Sequence, residues 1–236
     1  MVTVVVNGNM WGAGLLPPWL AACGVAVRTL APHMGQPVPT VAGDAGLIVL
    51  PGSVSVDDEV RAPWLPALRR LVRTYVAAGR PVLGICFGAQ LIATSFDGRV
   101  EPLAISSPFG VGDVTVTADA QGDTLIEPQA GATSLPAVLW HEHGVVELPP
   151  GSVQLAFNQY CVQAFRVGNT AWGLQFHPEA SLLSIQKWSR AYAEKIWLRG
   201  DNSTDIIANY RQNSARLRSI WGPVIERFAS MVAASR

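Results

Sequence analysis

The sequence predicts an α/β fold built on a mostly parallel sheet, and three observations predict it. Residues 2–6, 46–50 and 82–85 are short, largely apolar runs that lack the polar alternation of a half-exposed strand, as strands buried on both faces do. Helical periodicity fills stretches between them, so strand, helix and strand recur at the spacing of parallel strands joined by right-handed crossovers. Beyond Ser181 the pattern is helical.

Taken in order, residues 2–6 predict a first buried strand, followed by a helix around residues 18–22 and a Pro- and Gly-rich loop over residues 31–43. Residues 46–50 predict the second buried strand. Trp64, Leu68, Leu71 and Tyr75 then recur at helical spacing with Arg69, Arg70 and Arg73 between them, which makes an amphipathic crossover helix. Residues 82–85 are the next strand, ending at Cys86. From residue 111 to 172 the texture changes to shorter strand-like pieces at 113–117, 137–140, 153–157 and 162–167, separated by Gly and Pro turns. Ile185, Trp188, Tyr192 and Ile196, then Ile207, Tyr210, Leu217, Trp221, Val224 and Phe228, keep helical spacing, with Pro223 kinking or starting one helix. The expected division is residues 1–182 as an α/β unit and 183–236 as a helical extension. Such a tail can cover the sheet's edge, meet a partner or form a homo-oligomer, and the pattern leaves these open.

Composition narrows the function classes. The 236 residues suffice for one large α/β domain with a full core, and the net charge is zero with Lys and Arg dispersed. A basic stripe is missing, so nucleic acid is not an expected partner. Residues 1–6 lack a basic n-region and no apolar stretch approaches the length of a membrane span, so the expectation is a cytoplasmic protein without a membrane partner. Three cysteines at wide spacing argue against a disulfide framework and for a reducing compartment.

The chemistry concentrates in two motifs. Gly84-Ile85-Cys86-Phe87-Gly88 forms a Gly-x-Cys-x-Gly elbow between an apolar strand and the apolar Ala89-Gln90-Leu91-Ile92-Ala93. A nucleophile on such a turn adopts strained backbone angles and needs small neighbours where the flanking segments pass close to it. A helix starting near Phe87 points its free N–H groups and positive dipole end at the sulfur and favours the thiolate, the species that attacks. Downstream, Gly173-Leu174-Gln175-Phe176-His177-Pro178-Glu179 places His177 before a proline, which pushes it extended. In an extended segment His177 and Glu179 project to the same side, acid beside imidazole. Read as a triad, Cys86 attacks, His177 takes and returns the proton, and Glu179 orients the ring and stabilises the imidazolium.

These two motifs together resemble the class I (triad) glutamine amidotransferase family, and within it freestanding domains similar to the glutaminase half of GMP synthase. Residues 47–53, Trp140-His141-Glu142-His143, residues 148–151 and Gln163-Ala164-Phe165 follow in the family's order, so the resemblance spans roughly residues 1–182. It implies a flavodoxin-like three-layer sandwich and hydrolysis of glutamine through a γ-glutamyl thioester, without metal or other cofactor. It also implies oxyanion donors from the backbone N–H groups of Gly52 and Phe87, and substrate contacts from Gln90, His141 and Gln163. This sequence departs from the family pattern at Pro51-Gly52-Ser53, where many members read Gly-Gly-Pro, at Ala89, where many have His, and at His141-Glu142-His143, where His-Gly-Asp is common. The chain is too short to add a synthetase domain of ordinary size. Two enzyme readings follow. One is a glutaminase subunit feeding ammonia to a separate synthetase or acceptor enzyme; the other is an independent hydrolase or transferase of a γ-glutamyl peptide, amine or hydroxamate. A catalytically silent binding protein is the third.

Plainer readings stand beside these. The plainer reading of Cys86, taken without its motifs, is a buried apolar thiol, a reading the two motifs together outweigh, and Cys23 and Cys161 read as core thiols. His141 and His143 have the i, i+2 spacing of metal ligands but no third ligand. His33 reads as a solvated loop residue. Trp11, Trp64, Trp140 and Trp172 read as core, with Trp140 the exception to watch because it adjoins His141.

Overall fold

The computed structural model describes residues 1–103, 107–128 and 131–235. Its parallel half is β1 (Val2–Asn7), β2 (Val27–Leu30), β3 (Gly46–Gly52), β4 (Val82–Ile85) and β11 (Ala171–Leu174), in the spatial order β2-β1-β3-β4-β11. Every neighbouring pair in that series is parallel. From β11 the sheet continues antiparallel through β10 (Val162–Val167), β9 (Val153–Phe157), β6 (Gly110–Val116) and β7 (Ser134–Leu139). A short ladder of β5 (Arg99–Pro102) and β8 (His143–Glu147) branches from β10.

Strand pleating sorts the side chains into two cores. Val2, Val4, Ile48, Leu50, Leu83, Ile85, Trp172 and Leu174 enter one. Their alternating neighbours Val5, Leu47, Val49, Val82 and Ala171 enter the other. Helices α1 (Leu16–Ala22), α4 (Leu182–Ala191) and α6 (Ser203–Ala234) fill the first, and α2 (Leu65–Ala77) and α3 (Phe87–Ser95) fill the second. The result is the expected three-layer sandwich.

The helical tail covers a face of the sheet rather than its edge. Leu217, Trp221, Val224, Ile225, Phe228 and Val232 of α6 are buried in the first core, and Trp221 Nε1 donates to Pro136 O at 2.9 Å. Pro223 lies inside α6 and starts no helix. The helix break falls instead at Tyr192, between α4 and α5 (Ala193–Leu198).

Several expectations are corrected. The run at residues 46–50 is the third strand, because Val27–Leu30 pairs with β1 first. That edge strand is largely exposed and lacks an apolar signature. The β5–β8 ladder and β11 were not anticipated; β8 begins at His143, which read as part of a loop. Cys23 is exposed and Cys161 partly exposed, so neither is a core thiol; Cys23 caps the C-terminus of a short surface helix, where half the turn faces water. His33 is pinned rather than solvated: its ring nitrogens face Val6 O at 2.8 Å and Asn9 Oδ1 at 3.1 Å. None of the described helices is long and apolar enough to cross a membrane.

Candidate active site

Three adjacent parallel strands deliver the two motifs to one edge of the sheet. β3 ends at Gly52, β4 runs into Cys86, and β11 leads through Gln175 and Phe176 to His177. This is the carboxyl edge, where open α/β sheets place their sites. Cys86 is the N-cap of α3, with φ 52° and ψ −106°. Its N–H donates to Leu174 O at 2.7 Å and its carbonyl accepts from Gln90 N–H at 3.1 Å, so both neighbours hold the strained elbow in place.

Glu179 and His177 are both buried, and His177 Nδ1–H donates to Glu179 Oε1 at 2.8 Å. Glu179 Oε2 is buried without a hydrogen-bond partner among the described residues, which leaves the imidazole as the main compensation for this carboxylate. The other ring nitrogen, Nε2, lies 3.3 Å from the carbonyl oxygen of Trp140, and Cys86 Sγ lies 4.0 Å from that same oxygen. A carbonyl only accepts, so this geometry calls for a proton on Nε2 as well as on Nδ1. The electrostatics agree. Burial alone pulls the His177 pKa down, but the charges of Glu179 and Cys86 and the hydrogen bonds to both outweigh it and raise the value to about 10. Trp11 stacks on the imidazole at 5.7 Å and Trp188 tilts against it at 4.8 Å. Ser181 caps α4 two residues after Glu179, its Oγ accepting from Ser184 N–H, and so fixes where the acid's segment leaves the site.

In front of Cys86 lies a cavity of about 260 Å³. Gly52, Phe87, Gln90 and His141 all line it. Gln90 Nε2 donates to His143 O at 2.9 Å and Gln175 Oε1 at 3.2 Å, leaving Oε1 as its remaining polar group. Gln163 does not reach the cavity. It is fully buried behind His141, with Nε2 3.5 Å from His141 Nε2 and 3.2 Å from Cys161 Sγ. Gln163 falls at the irregularity between Val162 and Ala164 in the β10–β9 register, and its carbonyl accepts from Gln175 N–H at 2.8 Å, with its side chain against His141. Burial, then the charge on His177, lowers the His141 pKa to about 3. Neutral His141 donates from Nδ1 to His143 O at 3.2 Å and accepts from Gln163 at Nε2.

Sequence reasoning missed Trp11, Phe109 and Tyr192, which also line the cavity, together with Arg61; Glu142, from the His141-Glu142-His143 stretch, lines it too. Aromatic residues read as core unless something adjacent marks them, and only Trp140 carried such a mark, beside His141. Among the described residues no group of three His, Cys, Asp or Glu side chains is arranged to hold a metal ion.

The two histidines predict opposite limbs of a stability profile. His177 binds more protons folded than unfolded between about 6.5 and 10, so its contribution is complete below about 6.5 and is lost as pH rises through 10. His141 binds fewer protons folded than unfolded, so stability falls as pH drops from about 6.5 toward 3. Unfolding midpoints measured across pH should show both limbs in the parent, the alkaline one flattened in Glu179→Gln and the acidic one in His141→Gln.

The model of the family described as glutamine amidotransferase class-I matches residues 21–187. The chain belongs to this family. Among relatives of this class I amidotransferase chain, a glutamine-hydrolysing GMP synthase of Shewanella piezotolerans is 34% identical over 137 residues, covering 56% of this chain and 24% of that protein. A gamma-glutamyl-L-1-hydroxyisopropylamide hydrolase of a Pseudomonas species is 31% identical over 113 residues, covering 44% of this chain and 37% of that protein. The chain thus spans about a quarter of the first relative's length. The fold is shared with the crystal structure of a glutamine amidotransferase from Methylobacillus flagellatus, at TM-score 0.87 and 23% identity over 98% of this chain and 94% of that one.

Proposed function

We propose that this chain hydrolyses a γ-glutamyl amide through a thioester on Cys86, with His177 as the proton carrier and Glu179 as its orienting partner. The observation that carries this reading is the convergence of the Cys86 sulfur and the doubly hydrogen-bonded His177 on one carbonyl at the sheet's carboxyl edge. The Cys86 thiolate attacks the γ-carbonyl carbon, forming the C–S bond. As the C–N bond breaks, the departing nitrogen takes the proton from His177 Nε2. A water then gives a proton back to the neutral imidazole while its oxygen attacks the thioester, releasing glutamate and the thiolate. Gly52 and Phe87 are the proposed oxyanion donors, each worth about 3 to 4 kcal/mol in the transition state. Gln90 and His141 are proposed to contact the γ-glutamyl group, and Gln163 to hold His141.

Residues 1–182 are proposed as the catalytic unit, with the 183–236 extension completing it: Trp188 packs on His177 and Tyr192 lines the cavity. A reducing compartment, the cytoplasm, suits a chain whose three cysteines are unpaired. Glutamine is the parent substrate of this reading, with ammonia passed to a separate synthetase or acceptor enzyme. A second reading, a self-sufficient hydrolase of a larger γ-glutamyl amide, is favoured by the aromatic wall of the cavity.

Intact-protein mass spectrometry after acid quench, with L-glutamine in excess, tests the covalent route. A γ-glutamyl adduct localised to the Cys86 peptide is the expected result; glutamate release with no adduct, or an adduct elsewhere, sinks it. Steady-state rates should also separate the partners, with His177→Ala slower than Glu179→Gln because only the former removes the proton carrier. Equal losses would show that Glu179 does more than orient.

A further inference from the structure

Resting on that reading, we infer that the departing amine of the physiological substrate carries an aromatic ring, so that the substrate is a γ-glutamyl arylalkylamide rather than glutamine.

The leaving nitrogen must take its proton from His177, so the leaving group lies on the imidazole's side of Cys86, while the acyl oxygen lies toward Gly52 and Phe87. On the imidazole's side the cavity wall is aromatic. Trp11 both stacks on His177 and lines the cavity. Trp140, whose carbonyl meets His177 Nε2, lines it too. Phe109 stacks on Trp140 at 4.8 Å, and Tyr192 meets Trp140 edge-on at 6.0 Å and Phe109 at 5.4 Å. Four aromatic residues in mutual contact therefore line the cavity beside His177, on the side into which the amine departs. Ammonia has no apolar surface to bury and gains nothing from such a wall, whereas a ring gains both area burial and face or edge contacts.

The charges exclude a cationic amine tail. Among the described residues lining the cavity, Glu142 is the one acidic side chain, and it is already paired with Lys195 at 2.6 Å and Arg199 at 3.5 Å. Arg199 also lies over the Phe109 ring at 4.0 Å and donates to Ser107 O at 2.7 Å, which holds this wall in place. A second ammonium on the leaving group finds no free carboxylate there. Trp11 is tied as well, its Nε1–H donating to Ser53 Oγ at 2.7 Å. The wall is a fixed surface, consistent with selection by shape.

The test compares γ-glutamylbenzylamide, γ-glutamylmethylamide and L-glutamine. The two substituted amides release alkylamines, so the ring is the main difference between them. The expected result is a kcat/KM for the benzylamide at least about tenfold above that for the methylamide. Calorimetric binding to Cys86→Ala should follow the same order. Phe109→Ala should collapse the ratio, and the half-exposed Tyr192→Ala supplies a second variant should that one fail to fold. Turnover of glutamine or the methylamide with no gain from the ring, in rate or in binding, overturns the inference and leaves the hydrolase reading standing. No turnover of any amide, with Cys86→Ala still preferring the benzylamide, sinks hydrolysis and keeps the aromatic subsite. Neither turnover nor ring preference overturns both.

Discussion

Cys86→Ala is expected to abolish amide hydrolysis, by as much as about a millionfold, while the chain stays folded. The size follows from the proposed chemistry. Without sulfur no thioester forms, and the elbow, the His177–Glu179 pair and the oxyanion donors then have no attacking group to serve. Retention of the fold follows from the packing. Cys86 sits at the cavity's edge, 7% exposed, and its place is held by backbone hydrogen bonds to Leu174 and Gln90 that alanine keeps. The positive φ is one that alanine must also adopt, so no new strain arises. Glutamate release measured beside a thermal melt checks both halves. A variant that hydrolyses at the parent rate ends the nucleophile assignment; one that is inactive and unfolded says nothing of chemistry, and Cys86→Ser then serves as the gentler replacement.

Gly88→Ala should be among the most damaging single methyls in the described residues. A Cβ there would stand 2.1 Å from Val49 O, and one on Gly84 would stand 2.3 Å from Gly88 O. Strand β3, strand β4 and helix α3 therefore meet backbone to backbone at the elbow, and a backbone oxygen cannot swing aside as a side chain can. Separating these elements breaks the second core on both sides of Phe87, so the expected cost is on the order of 4 kcal/mol. A loss of that size lowers the melting temperature of a chain this long by about 8 to 16 °C. Gly43→Ala, with nothing within 4 Å of the new methyl, is the control and should stay within about 0.5 kcal/mol of the parent. A Gly88→Ala protein with an unchanged melt would mean that the elbow is looser than its contacts indicate.

The elbow was legible because its cause is local. Two glycines bracketing a cysteine at the end of an apolar run constrain the backbone within a few residues, and the observed φ of 52° at Cys86 is that constraint realised. His177 and Glu179 were legible as an adjacent pair and meet at 2.8 Å, but in a turn at Pro178-Glu179 closed by Ala180 N–H on His177 O at 3.4 Å rather than in the extended segment expected. Gln163 shows the opposite case. It stands in a recognisable stretch, yet it falls at an irregularity of the β10–β9 pairing that only the assembled sheet reveals, and there it turns behind His141. Trp11, Phe109 and Tyr192 come from three distant segments, each indistinguishable from a core aromatic.

By itself, then, the sequence determined three of the five parallel strands, the amphipathic helix that crosses between two of them, and the two short motifs that bring cysteine, histidine and acid together. Tertiary structure alone decided that α6 runs past Pro223 to seal a face of the sheet, that the Trp140 carbonyl lies near both the Cys86 sulfur and the His177 imidazole, and that four aromatic residues line one cavity. The physical reason is range. Backbone conformation responds to neighbours a few positions away, whereas a cavity is made where segments far apart in the chain are packed together, and the burial that drives their packing does not specify in advance which faces will meet.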